Sequence, residues 1–117
     1  MRREVLFLKD IIEATESIQM FLADIERDDF LENELIQSAV LQKLMIIGEA
    51  ASHLSKEFRE LHSEIEWTDI IGFRNIAIHA YFSVEWPIVW IAATKEAPEL
   101  SVQIRQILCN EYPERGK

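Results

Sequence analysis

The 117-residue chain is poor in the residues that punctuate or cross-link a fold: three glycines, three prolines and a single cysteine. Cys109 alone closes no internal disulfide, so cysteine usage is that of a reducing compartment, and a cytoplasmic location is expected. No Asn-Gly or Asp-Gly pair occurs, which removes the strongest short hairpin signal and leaves an all-β fold without its turns. Positive charge is scarce as well, with 12 Lys and Arg against 21 Asp and Glu and a formal net charge of -9. That balance excludes a general nucleic-acid coat or a binder of anionic membranes. The apolar runs Leu44–Ile47 and Pro87–Ala93 fall far short of the roughly 18 residues that a membrane span needs, so a soluble protein with no membrane role is expected. The basic start Arg2-Arg3 leads into Val5–Leu8, but Lys9-Asp10 ends that stretch too early for an export signal. Three histidines without a cysteine cluster give no zinc framework, and neither metal nor other cofactor is expected.

What is present is apolar residues, 49% of the chain, enough for one packed core. A single domain over residues 1–112 followed by a polar tail, 113–117, fits this length. From Arg2 to about Ile25, Val5, Leu8, Ile11, Ile12, Thr15 (by its methyl), Ile18, Leu22 and Ile25 recur at three-and-four spacing and predict one long helix. Its other face carries Glu4, Asp10, Glu13, Glu16 and Asp24, a solvated acidic stripe or else a dock for a basic partner. Phe30 and Leu31 anchor the charged connection that follows. A second long helix is predicted from Glu34 to about Phe58, with Asn33 as N-cap and Leu35, Ala39, Val40, Lys43, Leu44, Ile47, Ala50, Ala51, Leu54 and Phe58 marking its inner face. Gly48 inside it costs about 1 kcal/mol against alanine, and with Ala50-Ala51 it predicts the close approach of another backbone.

Trp67-Thr68-Asp69 opens a third helix, capped by Thr68 and running to around His79. Ser83–Pro87 opens a fourth that buries Ile88–Ala93, since proline is tolerated in a first turn. Pro98 opens a fifth, with Leu100, Ile104, Ile107 and Leu108 inward, and Pro113 ends it. The expected architecture is an all-α, up-and-down bundle of about four to five main helices, its first two long helices antiparallel.

Acid is concentrated at the front: residues 1–34 carry a balance of -6 and residues 35–117 only -3. An anion site therefore belongs to the second part. There, Ile70-Ile71-Gly72-Phe73-Arg74-Asn75-Ile76-Ala77-Ile78-His79-Ala80-Tyr81-Phe82 sets four polar side chains into apolar sequence. On a helix Asn75 and His79 stack four apart, Arg74 lies one step round, and Ile71, Ile78 and Phe82 face the core. An imidazole can take a proton from a ribose 2′-hydroxyl or give one to a leaving 5′-oxygen, and a guanidinium can neutralise the phosphorane between them, without a metal. Gly72 would let a backbone or second subunit approach that edge. The same spacing equally describes a surface arginine and a partly buried histidine. Tyr81, Phe82, Trp86 and Trp90 read as core or interface aromatics, or as a stacking platform for bases. Glu49 is assigned to the polar side of its helix rather than to the cleft, His53 and His62 to the surface, and Cys109 to the core.

Arg74-Asn75-Ile76-Ala77-Ile78-His79-Ala80-Tyr81 resembles the R-N-x-x-x-H-x-Y motif of HEPN-domain proteins, specifically the HepT-like toxins of HEPN/MNT toxin-antitoxin pairs. Ile47-Gly48-Glu49-Ala50-Ala51 with Leu54-Ser55 and the later Ile88-Val89-Trp90 extend the likeness over nearly the whole chain. The resemblance implies a homodimeric, metal-independent endoribonuclease with Arg74 and His79 as catalytic pair at a shared cleft. It assigns Asn75, with Gly72, a supporting or substrate-binding part. It also implies that a nucleotidyltransferase antitoxin adenylylates Tyr81 and so blocks RNA. Lys43, Lys56 and Arg59 are the candidate local positives for an otherwise acidic chain. The competing reading is a non-catalytic helical module that binds a nucleotide or docks the nucleotidyltransferase.

Overall fold

The computed structural model describes residues 2–79 and 84–112, with side chains for 3–75 and 84–112. Among these residues the chain is helical and has no strand, as the missing turn residues predict. In α1 (Arg2–Phe21), Val5, Leu8, Ile11, Ala14, Thr15 and Ile18 are buried at three-and-four spacing. The Thr15 hydroxyl donates to the Ile12 carbonyl at 2.7 Å, so its methyl enters the core without an unsatisfied oxygen. The helix stops before Ile25 because Asp24 adopts φ 64°, a left-handed conformation that cannot continue it. Leu22 and Ile25 still pack against the core from the turn. The short α2 (Arg27–Glu32) then inserts Phe30, fully buried, against Trp86 and Trp90 at ring distances of 6.2 and 5.3 Å.

Asn33 caps α3 (Glu34–Ser52) as expected, accepting from the Ile36 N–H at 3.0 Å. The helix does not reach Phe58. Ser55 leaves it in extended conformation, and its Oγ accepts from the Phe58 N–H at 3.0 Å to start α4 (Lys56–Leu61). Leu54 and Phe58 remain buried, so the apolar spacing runs on through a break in the backbone. Leu35, assigned to the inner face, is instead 80% exposed on the first turn of α3. α1 and α3 are antiparallel: Phe7 lies beside His53, whereas Glu13 and Ser17 lie beside Lys43.

α5 (Trp67–His79) packs on the other side of α3, which is thereby the central helix. It starts at Trp67, ahead of the expected cap Thr68, which is exposed. The indole N–H donates to the His62 carbonyl at 3.0 Å and fastens the preceding connection. The core takes Ile70 and Phe73; Ile71 is only half-buried, because the inward face runs through Ile70 and Phe73, three apart, and leaves it at the margin. Ile78 and Phe82 lie outside the described side chains. His62, assigned to the surface, is buried against the Phe58 ring at 4.6 Å, with Nε2 2.8 Å from Glu111 Oε2.

α6 (Trp86–Ile91) has Pro87 in its first turn and buries Val89, while Ile88 and Ile91 are exposed, so the expected buried run is one-sided. No new helix begins at Pro98. The chain passes through a π-helical turn, Ala92–Glu96, straight into α7 (Ala97–Glu111). Proline lacks the N–H of an α-turn and its ring collides with the carbonyl four residues back; the widened turn accommodates both. Leu100, Ile104, Ile107 and Leu108 are buried as predicted, but Cys109 is exposed, since it falls one step past that stripe. Arg105 on α7 pairs with Glu16 on α1 at 2.6 Å. Pro113 and the rest of the tail lie outside the described residues. Among those described, no helix is long and apolar enough to cross a membrane.

Candidate functional site

The site starts from a missing side chain. A Cβ on Gly48 would stand 2.7 Å from the Arg74 backbone nitrogen and 3.0 Å from the Ile70 carbonyl oxygen. Only glycine lets α3 and α5 meet this closely, as its position in an otherwise strong helix predicts. The contact sets Arg74 directly over the last two turns of α3. Its Nη1 reaches Glu49 Oε1 at 3.1 Å and Ser52 Oγ at 3.3 Å. The second oxygen of Glu49 lies 3.1 Å from Nε2 of His53, one turn on. The hydrogen bond from Arg74, joined by that from His53, holds the Glu49 carboxyl below its usual range against the opposing effect of desolvation. The His53 ring in turn stacks on Phe7 of α1, centroids 5.3 Å apart and planes 21° from parallel. Arg3 stands 5.9 Å from the centre of the Phe7 ring.

These groups border an open groove of about 290 Å³ between α1 and α3. Phe7, Met45, Ile46 and Ala50 make its apolar floor, and Asp10, Glu49, His53 and Arg74 its ionic rim. The Arg74 side chain is 32% exposed. Its Nε and Nη2 have no partner among the described residues, so a fork of donors remains for an incoming oxyanion.

Asn75 is exposed on the step after Arg74, consistent with a polar edge on α5. His79 is the last residue of α5, and its imidazole lies outside the described side chains, as does Tyr81 altogether. Five helical steps separate Arg74 from His79 by roughly 140°. Around Gly72 nothing among the described residues comes within 4 Å of a would-be Cβ, so no described backbone of the same subunit uses the space it leaves. The other basic candidates are dispersed. Lys43 lies in the next groove along α1, beside Asp10 and Glu13. Lys56 and Arg59 flank a separate depression with Glu60, Glu66 and Trp67.

One member of the cluster, Glu49, runs against the sequence reading. Glu49 faces the groove rather than only the polar side of its helix, because Gly48 next to it seats α5 at that level. His53 is at the surface as expected, but tied to Glu49 and stacked on Phe7. Their four-residue spacing on one helix was the available signal; that Arg74 meets them from 25 positions away is a tertiary fact. Among the described residues no group of three or more His, Cys, Asp or Glu converges as a metal site.

A family model described as "Ribonuclease HepT-like" matches residues 11–107. The protein named "Probable ribonuclease HepT" of Thermococcus cleftensis is 37% identical over 101 residues, covering 86% of this chain and 92% of that protein. "Putative RNase TTE0752" of Caldanaerobacter subterraneus is 39% identical over 105 residues, 90% of this chain and 94% of its own. "Putative RNase MJ1380" of Methanocaldococcus jannaschii is 34% identical over 98 residues, 84% and 90% of the two chains. No solved structure matches the chain significantly.

Proposed function

The chain belongs to the HepT-like ribonuclease family, and on that premise we propose that it is the metal-independent endoribonuclease toxin of a HEPN/MNT toxin-antitoxin pair. The observation that carries the proposal is Arg74, held in place by Glu49 and Ser52 yet presenting to an open groove donors that no described residue engages. A preorganised guanidinium costs little reordering when it meets a phosphate, which is what stabilisation of a phosphorane requires. His79, on the same helix, acts as acid or base. The 2′-oxygen attacks in line, losing its proton; the P–O5′ bond breaks, O5′ gains a proton, and a 2′,3′-cyclic phosphate remains.

A homodimer supplies both groups to one cleft, which overcomes the angle between Arg74 and His79 within a single helix. Asn75 orients the phosphate or the histidine, and the open space at Gly72 receives the second subunit or the strand. Adenylylation of Tyr81 by a nucleotidyltransferase antitoxin adds negative charge and bulk at the motif and excludes RNA. With a net charge of -9, binding outside the cleft is weak and salt-sensitive, so the enzyme releases RNA rather than tracking along it.

The test is cleavage of mixed RNA in EDTA with identification of the product ends. Cyclic-phosphate ends, lost in Arg74→Ala and His79→Ala variants of unchanged helicity and dimerisation, are expected. A His79→Ala protein that still cuts overturns the mechanism. No cutting by a folded dimer whose mass shows Tyr81 unmodified would replace it with the non-catalytic nucleotidyltransferase-docking module.

A further inference from the structure

Cleavage by 2′-hydroxyl attack needs a base at one oxygen and an acid at another, and the motif on α5 brings one imidazole per chain. We infer that His53 is a second catalytic imidazole of this site, the acid that protonates the departing 5′-oxygen, with Glu49 as its positioning residue. The inference rests on the ribonuclease reading.

Three observations carry it. His53 is half exposed, yet it is fixed twice over, by Glu49 at its Nε2 and by the Phe7 ring on its face. A surface histidine with no task gains little from such restraint, since exposed ion pairs contribute about 0–1 kcal/mol. A carboxylate on one ring nitrogen is how enzymes orient an imidazole for proton transfer through the other, here Nδ1. Finally, the carboxylate that orients His53 is the one that anchors Arg74, its two oxygens each taking one partner at 3.1 Å. Whatever phosphate Arg74 grips therefore stands beside this ring, at the mouth of a groove whose apolar floor suits a nucleobase.

The step balances. The proton leaving the 2′-oxygen passes to His79, the new P–O2′ bond forms as P–O5′ breaks, and the electron pair on O5′ takes the proton from Nδ1 of His53. Water then returns a proton to His53 and accepts the one on His79. Among the described residues the charged groups facing His53 are Glu49 from α3, Arg74 from α5 and, from α1, Asp10 on the same rim, with Arg3 over Phe7.

The experiment compares His53→Ala and His53→Gln with the wild-type dimer on a short RNA of defined sequence, and on the same RNA with sulfur in place of the scissile 5′-oxygen. Gln keeps a donor for Glu49 but carries no proton to transfer. A thiolate departs without protonation. Both variants are expected to lose at least about 100-fold in kcat on the oxygen substrate and to approach wild type on the sulfur one. Wild-type rates in His53→Ala, recovery by Gln, or an equal defect on both substrates overturns the inference while leaving Arg74 and His79 in place. A wild-type dimer that cuts neither substrate overturns the ribonuclease reading and this one with it.

Discussion

Gly48 and Gly72 both lie inside helices, and alanine should act on them with opposite sign. Helix propensity favours alanine by about 1 kcal/mol at either position. At Gly72 nothing among the described residues lies within 4 Å of the added methyl and the backbone φ is not positive, so the isolated subunit should keep the whole gain in Gly72→Ala. At Gly48 the methyl would meet the Arg74 nitrogen at 2.7 Å and the Ile70 oxygen at 3.0 Å. Both are backbone atoms of a packed helix, so no rotamer change relieves the clash and α5 must move away from α3. Overpacking of this kind costs about 1–3 kcal/mol, and a backbone partner places it at the upper end. After the propensity gain, Gly48→Ala should lose about 2 kcal/mol net. In urea, with a slope of about 2 kcal/mol per molar, the midpoint falls by about 1 M, while that of Gly72→Ala rises by about 0.5 M. Arg74→Ala should not rescue Gly48→Ala, since the nearest clash is with the main chain. A Gly48→Ala protein at or above wild-type stability would refute the close crossing, and with it the placement of Arg74 over Glu49.

Ser55→Ala removes the acceptor for the Phe58 N–H and should cost about 1 kcal/mol, read as a lower urea midpoint with unchanged slope; Ser63→Ala, exposed in the connection after α4, should be neutral. Glu49→Gln tests the ionic network by pH. Because the folded carboxyl titrates below its usual 4.5, its ionised form stabilises the protein above that pH, and the contribution is lost as pH falls through the folded value. The stability gap between wild type and Glu49→Gln should therefore hold steady at neutral pH and close in acid; a gap independent of pH would deny the pairing. Trp67→Phe deletes the indole donor to the His62 carbonyl and should cost about 1 kcal/mol, seen as a lower midpoint and faster exchange of the α4–α5 connection amides.

How legible the molecule is in its sequence depends on whether the deciding interaction is local. The Asn33 cap, the Phe30 anchor, the inward stripe of α7 and the tight crossing at Gly48 all follow from spacing and side-chain size. The break between α3 and α4 does not, because Leu54 and Phe58 keep the helical rhythm while Ser55, three residues before Phe58, turns the backbone. Pro98 misleads in the opposite direction: proline ordinarily starts or stops a helix, and here a π-turn absorbs it. At the site, the motif on α5 stands out from its apolar surroundings, but Glu49 and His53 look like any surface pair at helical spacing. Joining that spacing to the crossing inferred at Gly48 would have placed a residue of α5 above them. Leu35 and Cys109 fail for a simpler reason, since a helical stripe has margins where one step decides between core and solvent.

The π-turn at Ala92–Glu96 also governs how the last helix tolerates insertions and deletions. Residues eight apart on an uninterrupted α-helix are rotated by roughly 80° from one another. Yet Val89 and Ala97, eight apart across the turn, are both buried, together with Ala93 between them. The wider turn winds more slowly and holds the two ends in phase, acting as a one-residue spacer in an otherwise regular rod. Loss of a single residue between 92 and 96 would restore α-helical winding with Val89 and Ala97 seven apart, only roughly 20° from phase, so the α6 face, with Trp86 and Trp90, would stay in step with Phe30. In relatives of this chain, length changes should therefore accumulate in the connections between helices, and within these five positions the loss of one residue should be the tolerated change while insertions are depleted.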